Sequence, residues 1–253
     1  MTAPNRVEKR YRIRFDESGP NGSLRSSAFL RYAHDVAWLH SEKAGFDRKW
    51  YRERGLTWLI RALELDLLDG VRYGEELDVS TEVLGFRRAW ARRKSEFNRQ
   101  GEERTLAIAA IDWILLNARG APARVPGEIR DVFGKDATAA FTPLRIELDP
   151  TPGDAARREF EVRSSELDPM GHVNNAAYLD YIDEQLALAS SSMLRTFPRR
   201  YRVEFTASAE PGTSLVGRGW EDELAWCYRL ETTDGQELLR ARVETDPGTW
   251  VGG

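Results

Sequence analysis

The strongest constraint on the fold is an internal repeat in the sequence. Residues 11–23 align without a gap with residues 160–172, and in the same register Ala28-Phe29-Leu30 aligns with Ala177-Tyr178-Leu179. Each copy has the pattern of a short alternating strand, a turn that contains glycine, and a helix. The repeat therefore predicts that one structural unit occurs twice in the chain.

The residue pattern also defines the elements of each unit. The alternation of Tyr11, Ile13 and Phe15 with polar residues predicts a half-buried strand. The helices are expected to begin near Ser26 and Asn175, because serine and asparagine are favoured helix caps. Four strand-like runs follow each helix: Leu56–Leu68, Glu76–Phe86, Trp90–Arg99 and Thr105–Asn117 in the first half, and Arg200–Ala207, Ser214–Trp220, Leu224–Thr232 and Glu237–Glu244 in the second.

A proline-rich connector, Ala118–Gly153, separates the two halves. We expect an N-terminal unit over residues 1–135, a linker over 136–152 and a C-terminal unit over 153–253. The order of elements in each half is a strand, a long helix and four antiparallel strands. This repeated order predicts an α+β double hotdog fold, in which a sheet wraps around one long helix in each half. The halves are expected to form an intramolecular pseudo-dimer with continuous sheets, and association into a homodimer is left open.

Composition excludes several classes of protein. The net charge of −4 lacks the basic excess that is typical of nucleic-acid-binding proteins. A single cysteine, Cys227, rules out an intramolecular disulfide and a multi-cysteine zinc site, and three histidines are too few for a histidine-rich metal centre. We therefore expect neither a metal nor a cofactor. Without a secretory signal or an apolar run of membrane-spanning length, the sequence predicts a cytoplasmic protein.

The turn before the second helix carries the motif Asp168-Pro-Met-Gly-His172-Val-Asn-Asn-Ala-Ala-Tyr178, and Tyr201-Arg-Val-Glu204 lies on the next strand. With the order of elements, these segments resemble the acyl-acyl-carrier-protein (acyl-ACP) thioesterases of plants and bacteria over nearly the whole chain. The resemblance implies a hydrolase of lipid metabolism that cleaves fatty acyl-ACP to free fatty acid and holo-ACP in fatty acid biosynthesis. Its implied partners are the acidic acyl carrier protein and a fatty acyl thioester.

The same residues suit thioester hydrolysis on chemical grounds. The reaction needs a base or nucleophile and an electrostatic site for the carbonyl oxygen. Backbone N–H groups at Asn174 and Asn175 can supply that site, and Gly171 allows a ligand to approach closely. Asp168 and His172 flank this point. We therefore predict that the two asparagines and the glycine bind substrate beside the catalytic pair.

The resemblance assigns roles to individual residues. The family's catalytic acid, histidine and glutamate fall on Asp168, His172 and Glu204, and we expect these three side chains to converge on one cleft. The family's asparagine two positions after the acid is Met170 here, and the cysteine that follows its glutamate is Phe205. The sequence therefore favours a mechanism centred on carboxylates and excludes a cysteine nucleophile at that position.

The first copy of the repeat lacks these groups. Gly19 stands opposite Asp168 and Ser23 opposite His172. The N-terminal unit is therefore expected to have a degenerate site and to retain packing and acyl-chain binding.

Two alternative functions and one docking hypothesis remain open at this point. The chain could be an acyl-CoA thioesterase, which performs the same chemistry on another donor, or a non-catalytic acyl-binding protein. A basic cluster over residues 87–94 could dock an acidic carrier protein. It could equally be the solvated face of a strand.

Overall fold

Ten strands form one antiparallel sheet in the computed structural model, which describes residues 5–102, 104–134, 140–190, 192–222 and 225–245. The strands are β1 (Arg6–Arg12), β2 (Leu56–Leu67), β3 (Glu76–Arg87), β4 (Trp90–Arg99), β5 (Thr105–Asn117), β6 (Ala156–Glu161), β7 (Arg199–Phe205), β8 (Ser214–Glu221), β9 (Trp226–Thr232) and β10 (Glu237–Glu244). The α-helices within these described ranges are α1 (Ser26–Lys43), α2 (Arg48–Glu53), α3 (Gly127–Phe133) and α4 (Asn175–Ser190). The predicted helix starts are confirmed.

The two halves of the sheet meet at β2 and β7. The spatial order is β1-β3-β4-β5-β2-β7-β10-β9-β8-β6, so each half of the chain supplies five neighbouring strands. At the junction Leu63 lies opposite Val203 and Leu65 opposite Tyr201. All four side chains are buried. The predicted continuity of the sheets is therefore confirmed, and the hydrophobic core also crosses the junction.

α1 and α4 pack on one face of this sheet, which we call the inner face. Apolar residues recur at helical spacing on each helix and are buried against the strands. The ring of Phe29 packs edge-on against Phe97 of β4, with 5.2 Å between centroids, and Tyr178 lies 5.9 Å from Phe205 of β7. Side chains alternate along a strand, so the neighbours of Phe205 and Tyr201 on β7 point to the opposite, outer face.

The strand before α1 ends earlier than its pattern predicts. β1 stops at Arg12, and Phe15, which the alternation places on the inner face, is 82% exposed. The Glu17 carboxylate accepts hydrogen bonds from the backbone N–H of Arg14 and from the hydroxyl of Tyr32. These bonds turn the backbone into a short 3-10 segment. The predicted strand is therefore wrong beyond Arg12.

The other predicted strands end within two residues of the observed ones where the structure describes them. Leu224, the first residue of one predicted strand, lies outside the described residues, and β9 is described from Trp226. The expected limit between residues 135 and 136 also lies outside them.

The connector crosses the outer face of the sheet after α3. Its backbone and side chains meet polar groups on β5, β7, β10 and β9, which follow one another in that order with β2 between β5 and β7. The hydrogen bonds are Leu144 N–H to Asp112 Oδ2 (2.8 Å), Ile146 N–H to Glu204 Oε2 (3.0 Å), Arg240 Nη1 to the Ile146 carbonyl (3.0 Å) and Arg229 Nη1 to Thr151 Oγ1 (2.6 Å). The connector is therefore fixed to strands of both halves.

Candidate active site

A groove of about 700 Å³ lies where the N-terminus of α4 faces α1. The second half contributes Asp168 and the two asparagines of the motif, and the first half contributes residues of α1 and the start of β2. The groove therefore has walls from both halves. Its lining also includes Pro169 and Met170.

Asp168 is held by the turn that it begins. Its Oδ1 accepts hydrogen bonds from the backbone N–H groups of Met170 (2.8 Å) and His172 (3.3 Å). Gly171 closes the turn at a φ of 80°, a conformation that favours glycine. No described residue hydrogen-bonds to Oδ2 of Asp168. One carboxylate oxygen therefore fixes the turn, and the other is free to accept a proton from water.

The other carboxylate that lines the groove is neutralised. Asp35 accepts hydrogen bonds from Lys9 (2.6 Å) and from the hydroxyl of Tyr11 (2.5 Å). These two donors lower the pKa of Asp35 against the opposing effect of its partial burial. Asp168 is therefore the better candidate for a general base in the groove.

The N-terminus of α4 opens onto the same groove. Asn174 caps the helix, since its Oδ1 accepts a hydrogen bond from the backbone N–H of Ala176 at 2.9 Å. Asn175 is the first helical residue. The partial positive charge of a helix N-terminus stabilises negative charge nearby. This end of α4 is therefore suited to hold a carbonyl oxygen on which charge develops.

His172 lies on the Asp168 turn, and its side chain is exposed. Its backbone carbonyl accepts a hydrogen bond from the Asp168 N–H at 2.8 Å, opposite the bond that its own N–H makes to Oδ1. The imidazole is not among the side chains that line the groove. The structure thus places it on the solvent side of the turn, close to Asp168 in the chain.

Glu204 does not converge with Asp168 and His172, which corrects that expectation. Tyr201, Val203 and Phe205 point inward, so strand alternation directs Glu204 to the outer face of the sheet. There its carboxylate accepts hydrogen bonds from the backbone N–H of Ile146 (3.0 Å) and from the Arg145 guanidinium. The connector covers it, and its side chain is 5% exposed.

The groove contains a histidine that the sequence analysis missed. His34, on α1, lies in the wall that faces Asp168. Its Nε2 accepts a hydrogen bond from the indole N–H of Trp38 at 2.8 Å, and its ring lies 5.3 Å from that of Trp113. Burial lowers the pKa of His34, and the negative charge of Asp168 opposes that shift. The one available signal was the i, i+4 spacing of His34 and Trp38 on a predicted helix.

Family models for acyl-ACP thioesterases match most of the chain. The N-terminal domain of that family matches residues 4–133, and its C-terminal domain matches residues 151–246. The chain belongs to the acyl-ACP thioesterase family. Curated relatives include the chloroplastic palmitoyl-acyl carrier protein thioesterase of Arabidopsis thaliana, 24% identical over 95% of this chain, and a chloroplastic acyl-[acyl-carrier-protein] hydrolase of Cuphea viscosissima, 23% identical over 94%. The chain spans 65% and 62% of the length of those two proteins.

Solved structures of acyl-ACP thioesterases share the fold. The enzyme from Bacteroides thetaiotaomicron superposes with a TM-score of 0.81 at 20% identity, and the comparison covers 95% of this chain and 97% of that one. The 12:0-ACP thioesterase from Umbellularia californica gives a TM-score of 0.80 at 18% identity, with the same coverage. The predicted double hotdog fold is confirmed.

In this member of the acyl-ACP thioesterase family, aromatic side chains of the first half line both the groove and a second cavity. A smaller cavity of about 30 Å³ shares four aromatic side chains with the groove and extends to Phe133 and Arg93. Burial lowers the pKa of Arg93 to about 10, and its guanidinium contacts Nδ1 of His40 at 3.0 Å. The shared aromatic residues are Trp38, Tyr51, Trp58 and Trp113. These rings give the groove an apolar wall on the side of the first half.

The sole cysteine lies away from the groove. Cys227 is buried on β9, and burial raises the pKa of its thiol. Its Sγ lies 3.9 Å from the Asp222 carboxylate. A neutral, buried thiol is a poor nucleophile.

The basic cluster divides into two parts. Arg92 pairs with Asp112 at 2.7 Å, and Lys94 pairs with Glu82 at 3.0 Å, so these charges are compensated. Arg87, Arg88 and Arg124 are exposed and border one surface depression, and none of the three pairs with a described acidic residue. This group of three, the exposed arginine group, combines two residues of the cluster with Arg124 from outside it and could contact an acidic partner. No helix in the described part of the chain has the length and hydropathy that a membrane span requires.

Proposed function

We propose that this chain hydrolyses fatty acyl thioesters of acyl carrier protein to free fatty acid and holo-ACP. The observation that carries the proposal is the position of Asp168. Its Oδ2, to which no described residue hydrogen-bonds, shares a groove with the N-terminus of α4, and aromatic side chains of the first half line that groove. The names of the curated relatives support the same activity.

In the proposed reaction Asp168 acts as the general base. The thioester carbonyl oxygen lies at the N-terminus of α4, where Asn174 caps the helix and Asn175 begins it. The predicted contact of Gly171 with substrate stays a prediction, since Gly171 does not line the groove. Asp168 takes a proton from a water molecule as the water oxygen bonds to the carbonyl carbon. The C–S bond then breaks and the thiolate departs toward solvent. His172, on the solvent side of the turn, can protonate that thiolate.

Glu204 has no step in this mechanism, because the connector holds its carboxylate on the other face of the sheet. A catalytic role for Glu204 stays a prediction of the resemblance. It would require the Glu204 side chain to reach the groove from the outer face, and departure of the connector alone would not bring it there.

The exposed arginine group supports the carrier protein as the acyl donor. Three arginines without an acidic partner form a cationic surface on a chain whose net charge is −4. Acyl carrier proteins are acidic, so this surface and that donor are complementary in charge. A cytoplasmic location and a homodimer stay predictions.

The test compares donors and variants. Purified protein is assayed for thiol release with acyl-ACP and acyl-CoA that carry the same acyl chains. Faster turnover of acyl-ACP supports the proposal, and faster turnover of acyl-CoA makes the chain an acyl-CoA thioesterase. Fatty-acid binding without turnover of either donor would make it an acyl-binding protein. Asp168→Asn identifies the site, since it removes the base and keeps the size of the side chain.

A further inference from the structure

The two helices meet around an axis that relates the halves of the chain. Arg31 of α1 donates a hydrogen bond to Asp180 of α4 at 3.0 Å. In the register of the repeat these two residues occupy equivalent positions, because residues 11–23 align with residues 160–172. A contact between equivalent positions lies at the pseudo-two-fold axis. Each position on one side of the axis therefore has an equivalent position on the other.

A second contact between these helices defines the surroundings of His34. The hydroxyl of Ser26, the first residue of α1, donates a hydrogen bond to Asp183 Oδ2 of α4 at 2.6 Å. Ser26 is equivalent to Asn175, and Asp183 is equivalent to His34. The pseudo-symmetry thus pairs His34 with Asn175, the first residue of α4, and both residues line the groove. His34 faces the N-terminus of α4, where the thioester carbonyl oxygen is proposed to bind.

The hydrogen bond from Trp38 determines the tautomer of the neutral His34 imidazole. Because the indole N–H can only donate, Nε2 must accept, and the neutral imidazole then carries its proton on Nδ1. No residue that the structure describes is hydrogen-bonded to Nδ1. Burial in the groove wall also disfavours the charged ring. The ring therefore has one unused N–H donor.

We propose that His34 is a further catalytic residue, whose neutral imidazole donates a hydrogen bond from Nδ1 to the carbonyl oxygen of the bound thioester. The proposal rests on the function proposed above. No proton is transferred through His34. The water oxygen bonds to the carbonyl carbon, the water proton passes to Asp168, and the negative charge on the carbonyl oxygen is shared by Nδ1–H and the N–H groups of α4. That charge returns to re-form the carbonyl as the C–S bond breaks, and the thiolate receives a proton.

This assignment makes the site a product of both halves. Asp168 and the helix terminus come from the second half, and the additional donor comes from the first, which the sequence analysis expected to serve packing and acyl-chain binding. On the other side of the axis, Asp183 accepts hydrogen bonds from Ser26 and from Tyr201. The two equivalent positions therefore differ in chemistry: Asp183 is a hydrogen-bond acceptor, whereas His34, in the groove, has a hydrogen-bond donor.

Two variants of equal size test the proposal. His34→Gln retains an N–H donor, whereas His34→Met has none, and both side chains are unbranched and fit a similar volume. Removal of one donor to a developing oxyanion typically lowers kcat by about 10²–10³-fold. We expect His34→Met to show that loss with little change in KM, and His34→Gln to retain a kcat at least about tenfold higher. Asp183→Asn, at the equivalent position of α4, serves as the matched control and should keep the wild-type kcat.

Each outcome has a defined meaning when circular dichroism and thermal unfolding confirm that the variants are folded. A His34→Met kcat within about threefold of wild type overturns the proposal. Equal losses in His34→Met and His34→Gln also overturn it, because the donor would then be irrelevant. A similar loss in Asp183→Asn would assign the effect to helix packing instead. Wild-type protein that turns over neither donor refutes the proposed function itself, and the role of His34 with it.

Discussion

Replacement of Glu204 by glutamine separates two roles for this residue. Its carboxylate is 5% exposed and accepts hydrogen bonds from the Ile146 N–H at 3.0 Å and from Arg145, whose side chain is 60% exposed. Gln can satisfy one of these donors through its Oε1, while its NH₂ group would face the other donor. We therefore expect Glu204→Gln to weaken the attachment of the connector rather than the chemistry in the groove.

The magnitude follows from these contacts. Hydrogen bonds to charged groups contribute about 1.5–3 kcal/mol each, and breaking a fully buried ion pair costs about 3–5 kcal/mol. Because Arg145 is largely exposed and can return to water, we expect a loss of about 2 kcal/mol in the free energy of unfolding. For a chain of this size, that loss corresponds to a decrease in Tm of about 4–8 °C. The kcat should remain within a few-fold of wild type.

Chemical unfolding and acyl-thioester turnover are measured on the same preparations. Glu64→Gln is the control, because Glu64 pairs with Arg202 at 2.8 Å on the neighbouring strand and makes no described contact with the connector. Its loss should be below about 1 kcal/mol. Arg145→Ala should not add fully to Glu204→Gln, since both changes break the same contact. A kcat reduced by 10²-fold or more with unchanged unfolding would refute this reasoning and support the catalytic role that the resemblance implies.

Three further predictions concern the groove and the donor. Asp168→Asn should lower kcat by about 10²–10⁴-fold, the usual effect of losing a positioned base. The kcat of Cys227→Ser should stay within about twofold of wild type. Equal activity in both variants would exclude Asp168 as the base. His172→Ala should lower kcat by about tenfold or more at a pH below the thiol pKa, where the departing thiolate takes up a proton, and the loss should shrink above that pKa, where the thiolate leaves without one. A loss that does not change with pH would contradict this role. Combined Arg87→Glu and Arg88→Glu changes should raise KM for acyl-ACP by about tenfold and leave KM for a small acyl thioester unchanged. The increase in KM for acyl-ACP should shrink at high salt, because salt screens the charges. Equal effects on both substrates would rule out a docking role.

The repeat was sufficient to predict the two long helices, α1 and α4, and the paired halves, whereas the short helices α2 and α3 were not predicted. Helix starts at Ser26 and Asn175 follow from capping chemistry, which acts within a few residues of the chain. Strand alternation also accounts for the shared inward orientation of Tyr201, Val203 and Phe205. Local patterns of this kind depend on neighbouring residues, so the sequence is enough to predict them.

Contacts between distant segments were beyond the reach of these patterns. The cover over Glu204 is made partly by the backbone N–H of Ile146, and a backbone donor has no signature in a sequence. His34 faces the motif only because α1 and α4 cross at the pseudo-two-fold axis. The early end of β1 depends on Tyr32, a helical residue whose hydroxyl binds Glu17. Each of these features requires the tertiary arrangement.

Covalent linkage of the two hotdog units permits a division of labour that a symmetric dimer lacks. In a homodimer every substitution occurs at both sites, so a residue that improves one site alters the other in the same way. Here the equivalent positions His34 and Asp183 carry different side chains, and one side is closed by hydrogen bonds while the other remains an open groove. Duplication within one chain thus lets the two units diverge, so that the first forms one wall of a groove to which the second contributes the carboxylate of Asp168.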